Sequence, residues 1–248
     1  MLLEISKSIC VGCTQCIPWC PVAAISMTKE KKATIDQGKC VECWVCYKIF
    51  QCPVSAMQPA ELVFPRDLMW NFAVPTKDWV TTRMAGRGTE EVKTNEVTGR
   101  VRWGEVGLAL DFGRPGISTL FEDIEKVFMA LAAVGVHFEK ENPLNALFDE
   151  IKGTLKDGRL RTVRALQPII ECKFNIDQLE IVLRALEDAT KKINTVVSVG
   201  LASRVRVDGT IPLFETLDRM GIQYKPNMKI NLGLGRPLSP ERVHEKVD

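Results

Sequence analysis

Residues 10–21 read CVGCTQCIPWCP, and residues 40–53 read CVECWVCYKIFQCP. Each stretch separates three cysteines by pairs of residues, Cys10, Cys13 and Cys16 in the first and Cys40, Cys43 and Cys46 in the second. Each then closes on a Cys-Pro pair, Cys20-Pro21 or Cys52-Pro53. Three thiolates at this spacing let one short loop wrap three corners of an iron–sulfur cubane, and the fourth corner needs a thiolate from elsewhere. Eight of the nine cysteines are used in this way.

Two other chemistries compete for such a pattern. Structural zinc takes two CxxC pairs or mixes in histidine, but here the runs hold three cysteines and the first histidine is His137. A disulfide framework needs an oxidising compartment. The opening MLLEISKS has neither a charged segment leading an apolar stretch nor a twin-arginine pair, so a cytoplasmic location is expected. Two [4Fe–4S] clusters are the expected cofactors.

The residues after each motif repeat as well, Pro21-Val22-Ala23-Ala24-Ile25 being echoed by Pro53-Val54-Ser55-Ala56-Met57. Together with the motifs, this makes residues 3–60 resemble a bacterial-type two-cluster ferredoxin domain. The resemblance implies that the fourth thiolate crosses between motifs. Cys10, Cys13, Cys16 and Cys52 would then bind the first cluster, and Cys40, Cys43, Cys46 and Cys20 the second. One departure is the five-residue gap before Cys52, where the first motif has three; Lys48-Ile49-Phe50-Gln51 must bulge or lengthen the turn. Trp19 and Trp44, beside or between ligands, are expected to screen the sulfurs from water.

A second resemblance is to the iron–sulfur β subunit of adenylylsulfate reductase, carried by Cys40-Val41-Glu42-Cys43-Trp44-Val45-Cys46 followed by Asp67-Leu68-Met69-Trp70. That subunit passes electrons to a separate flavoprotein. The implied partner here is a flavin- or metal-containing catalytic subunit, with a soluble ferredoxin as electron donor.

With 248 residues, most of the chain lies beyond this unit, enough for another domain of ordinary size. Composition is 46% hydrophobic and 26% charged, with no apolar run long enough for a membrane span. A net charge of +2 gives no electrostatic support to nucleic-acid binding. Residues 1–60 hold Lys7, Lys29, Lys31, Lys32, Lys39 and Lys48 against Glu4, Glu30, Asp36 and Glu42. With two oxidised cubanes adding charge of about −4, the loaded unit is only mildly negative, which suits a fixed partner better than a strongly acidic diffusing shuttle.

Residues 61–100 form a connector. Pro65 and Pro75 break any long helix, while Leu62, Val63, Phe64, Met69, Trp70, Phe72, Val74 and Trp79 must bury themselves, by bridging to the next domain or by docking another subunit. The stretch 81–100 turns polar and reads as an exposed loop.

Periodicity beyond residue 100 predicts strands at 101–112, 136–138, 168–174, 195–207 and 228–234, and helices at 117–134, 177–193 and 212–220. Gly135-Val136-His137-Phe138 recurs as Gly221-Ile222-Gln223-Tyr224, each after a predicted helix, and Gly113-Arg114-Pro115 recurs as Gly235-Arg236-Pro237. Two echoing βαβ-type halves in an α+β sandwich over 101–240, with a polar tail at 241–248, are expected. The fold class is thus α+β throughout, a two-cluster domain followed by this sandwich.

Catalytic candidates there are few. His137 reads as a structural histidine, His244 as solvated, and Cys172 as a small core residue. Arg114, Arg161, Arg164, Arg204 and Arg206 are candidates to line an anionic site. An electron-transfer subunit of an oxidoreductase working in anaerobic metabolism is the favoured expectation. A self-contained reductase whose second domain binds its own flavin or substrate is the alternative.

Overall fold

The structure, a computed structural model, describes residues 3–73, 99–113 and 118–225. In the cysteine-bearing unit, β1 (Leu3–Ile5) pairs antiparallel with β4 (Met57–Pro59), and β2 (Ile25–Met27) with β3 (Ala33–Ile35). Leu3, Ile25, Ala33, Ala56 and Met57 form its small core together with Cys10, Cys16 and Cys46. Such a core is too small to hold a fold of this size comfortably, and metal ligation is the usual supplement.

The connector contains a helix, α2 (Arg66–Ala73). It starts straight after Pro65, where proline is at home, so that proline opens a short helix and excludes only a longer one running through it. Met69 and Phe72 on one face enter the core of the following domain, Phe72 lying edge-on to Phe121 at 5.8 Å between ring centroids. On the other side Trp70 meets Trp44 at 6.0 Å. The connector therefore bridges, spending Met69, Trp70 and Phe72 inside the chain itself, whereas Val63 and Phe64, also expected to be buried, are 64% and 42% exposed; Val74 and Trp79 lie outside the described residues.

The second domain is built on a four-stranded antiparallel sheet in the order β10-β5-β9-β7. Its strands are β5 (Glu105–Phe112), β7 (His137–Phe138), β9 (Ile169–Asn175) and β10 (Val197–Ala202). Helix α3 (Phe121–Ala133) joins β5 to β7, and α4 (Leu179–Thr190) joins β9 to β10. A further pair, β6 (Thr119–Leu120) and β8 (Arg164–Ala165), flanks the sheet. Val106, Leu108, Leu110 and Phe112 alternate onto one sheet face in register with Ile170, Cys172 and Phe174. Ile124, Val127, Phe128 and Leu131 of α3 and Leu179, Val182, Leu183 and Leu186 of α4 complete this core. The opposite face carries Gly107, Ala109, Asp111, Glu171 and Lys173, as the two-residue strand period requires.

The expected strand–helix–strand succession occurs twice, and the α+β class holds. The echo expected to mark its halves marks something else. Gly135 and Gly221 both adopt positive φ, 76° and 67°, just past a helix. In each case the following amide bonds five residues back, Val136 to the Leu131 carbonyl at 3.5 Å and Ile222 to that of Leu217 at 2.9 Å. This is the Schellman helix stop, which demands glycine. The second copy follows the added helix α5 (Leu213–Arg219), beyond β10. The echo therefore records two helix endings, whereas the repeated halves are β5-α3-β7 and β9-α4-β10. The strand expected at 228–234 lies outside the described residues, as does the tail at 241–248.

Candidate metal centre

Both cysteine loops share one backbone design. Gly12 and Thr14 take positive φ of 73° and 64° in the first, and Glu42 and Trp44 take 56° and 58° at the corresponding places in the second. Ala23 and Ser55, after the two Cys-Pro pairs, match again at 51° and 53°. A left-handed residue on either side of the middle cysteine curls the loop so that its thiols face inward. The extra residues before Cys52 are absorbed where expected: a short helix α1 (Val45–Lys48) stands where the first motif has a 3₁₀ turn at Ile17–Trp19, and Gln51 turns the chain at φ 52°.

Cys10, Cys13, Cys16 and Cys52 line one cavity, walled by Ile5, Ala33, Phe50, Val54, Ala56 and Met57 and without a charged side chain. Cys20 stands instead with the second tripod, close enough to Cys43 and Cys46 to oppose their ionisation. The structure thus gathers the eight thiols into two sets, each drawing one member from the other motif. Among the described residues, no three histidine, cysteine or acidic side chains are gathered tightly enough to grip a single metal ion.

The two sets differ in environment. Burial pushes the Cys40 thiol up to about 11 and the Cys46 thiol up to about 12, and also raises Cys43. In the first set burial raises Cys16, whereas Cys10 is held below the ordinary thiol value, mainly by the Ala33 amide, and Cys13 is exposed. Amides also point at sulfur, Ala24 to Cys20 at 3.1 Å and Ala33 to Cys10 at 3.4 Å, donors of the kind that stabilise charge on cluster thiolates.

Glu42 was not legible as a functional residue from the pattern. It is fully buried between Cys40 and Cys43, its Oε1 4.0 Å from the Cys40 sulfur. Trp44 Nε1 donates to it at 2.8 Å, and Arg66 of α2 donates through Nε at 2.7 Å and through Nη2, while Arg66 Nη1 holds the Gln37 carbonyl at 3.1 Å. The left-handed backbone at Glu42, costing roughly 1 kcal/mol or more for a residue with a Cβ, is what turns this carboxylate inward. Trp44 is buried and screens the second set, as expected. Trp19 is not enclosed: it is 43% exposed against Phe50.

A probable ferredoxin of Methanosarcina thermophila is 36% identical to this chain over 39 residues, which cover 16% of the chain and 67% of that protein. The N-terminal domain belongs to the ferredoxins. No family model matches the chain, and no solved structure matches it. Beyond the ferredoxin domain, therefore, only the structure itself speaks for the second domain.

There the candidate arginines do not converge, whereas His137 and Cys172 line one cavity of about 510 Å³ together with Arg100, Glu139, Glu171 and Lys173. Arg161 pairs with buried Glu125 at 2.8 Å, Arg164 reaches Ser118 at 3.5 Å, Arg204 lies 4.9 Å over the Trp103 ring, and Arg206 reaches Thr210 at 3.5 Å. Each arginine serves its own neighbour, and Arg114 lies outside the described residues. His137, expected to be a structural histidine, is exposed at its place in β7 opposite Lys173; His244 lies outside the described residues. Cys172 is a core residue whose thiol is pushed up by burial. No helix among the described residues is long and apolar enough to cross a membrane.

Proposed function

We propose that the chain is an electron-transfer subunit in which Cys10, Cys13, Cys16 and Cys52 hold one [4Fe–4S] cluster and Cys20, Cys40, Cys43 and Cys46 a second. The observation that carries this is the sorting of eight thiols into two sets of four, each borrowing a member across motifs. Bound there, each cluster supplies one-electron transfer. The chain's own residues set the surroundings: apolar walls and Trp44 exclude water, amides from Ala24 and Ala33 stabilise thiolate charge, and Arg66 neutralises Glu42. Electrons then pass to or from a flavin- or metal-containing catalytic subunit in a cytoplasmic, anaerobic oxidoreductase, with a soluble ferredoxin as a candidate donor.

Anaerobically purified full-length protein should contain about eight irons and eight acid-labile sulfides. Redox titration followed by electron paramagnetic resonance should give two one-electron signals and no flavin radical. A flavin that stays with the single chain through purification would favour a self-contained reductase instead.

A further inference from the structure

The surface over the first cysteine set is basic at its rim and apolar at its centre. The turn between β2 and β3 carries Lys29, Glu30, Lys31 and Lys32 and packs directly on the first tripod. A Cβ at Gly12 would meet the Lys31 carbonyl at 2.2 Å, which is why glycine stands there, and Lys32 Nζ bonds the Cys10 carbonyl. Lys7 stands in the turn that leads into the first tripod, where the Ser6 carbonyl accepts from the Ile9 and Cys10 amides at 3.2 and 2.9 Å; after Thr28, it also helps hold the exposed Glu30 carboxyl below its usual range. Lys7, Lys29 and Lys31 are exposed, as is Cys13, and beside them Val11 and Ile9 are 63% and 39% exposed.

The second set is less open: Cys20, Cys40 and Cys43 are partly buried and Cys46 is buried, where Cys13 of the first set is exposed. Glu42, Trp44 and α2 cover it and tie it to the second domain. An electron entering from outside therefore finds its shortest approach at Cys13. An apolar centre with a charged rim is the anatomy of a protein-docking surface, and the sign of the rim selects the partner's sign.

We propose that the face formed by Lys7, Lys29, Lys31, Ile9, Val11 and Cys13 receives a small acidic one-electron carrier protein. This rests on the relay function proposed above. One electron leaves the reduced carrier, which is oxidised, and is taken up at the first cysteine set; no bond forms or breaks and no proton need move. Lys32 is left out of the charge reversal because its ammonium bonds the Cys10 carbonyl, and its loss would disturb the first tripod itself.

The test is stopped-flow mixing of the cluster-loaded full chain with a chemically reduced, acidic two-cluster ferredoxin at several ionic strengths. The wild-type rate constant should fall as salt rises. The Lys7→Glu, Lys29→Glu, Lys31→Glu triple variant should be slower by about tenfold or more at low salt, and the two should converge at high salt. A control variant, Lys191→Glu with Lys192→Glu at the end of α4, should match wild type. Rates indifferent to both salt and charge reversal would overturn the docking proposal. Photoreduction by a deazaflavin, which needs no docking face, separates the two levels: normal cluster reduction with salt-independent protein rates refutes only the docking face, whereas no reducible cluster refutes the relay.

Discussion

Replacing Arg66 with methionine is expected to destabilise the second cysteine loop by about 3–5 kcal/mol, the cost of leaving one partner of a buried ion pair alone. Glu42 is fully buried and Arg66 only 17% exposed, so water cannot take over the lost charge. Methionine keeps the length and apolar stem of arginine, which confines the change to the guanidinium and its bonds to Glu42 and Gln37. Native-state hydrogen exchange at residues 40–48 reads the effect as a lowered opening free energy. The double variant Arg66→Met, Glu42→Gln should regain much of the loss, because the stranded charge is gone. A single variant that exchanges as slowly as wild type would mean that the Glu42 charge is compensated elsewhere.

Phe72→Ala is expected to cost about 3–5 kcal/mol, the range for removing a buried phenylalanine from a packed core. Phe72 is fully buried against Phe121. The informative consequence lies away from that core. Helix α2 carries Phe72 and Met69 on one side and Arg66 and Trp70 toward the second cysteine set, so loosening its anchor should also speed exchange at residues 40–48. Phe72→Ala and Arg66→Met combined should then be non-additive, as expected for changes transmitted through one rigid element. Strict additivity, with unchanged exchange at 40–48 in Phe72→Ala alone, would show that α2 transmits nothing between the domains.

What could be read from the sequence follows from how local each signal is. The two cysteine motifs were legible because their spacing is written within a few residues and the extra pair before Cys52 falls where a turn can absorb it, whereas the crossing between motifs came only from the resemblance to ferredoxins. Strand β5 and helices α3 and α4 were legible from period, with ends trimmed: residues 101–104 do not join the strand, and α4 starts at Leu179 after a 3₁₀ turn at Ile176–Gln178. Helix α2 was not, since eight residues between prolines carry too little periodicity and its burial depends on Phe121 and Trp44, both distant in sequence. Glu42 was missed for a related reason. A carboxylate inside a ligand loop looks like solvated filler until Arg66, 24 positions away, is seen to hold it. The glycine echo misled because a helix stop and a repeat boundary leave the same local trace.

The claim on which the rest depends is that each cluster takes its fourth thiolate from the other motif, and paramagnetic resonance of reduced cysteine variants tests it most directly. Cys13→Ser and Cys43→Ser mark the signals of the first and second sets, since each lies inside its own tripod. Cys20→Ser should then disturb the same signal as Cys43→Ser and leave the Cys13-dependent signal intact, and Cys52→Ser should do the reverse. If Cys20→Ser instead reproduces the spectrum of Cys13→Ser, each motif closes on its own cysteine and the crossed assignment is wrong.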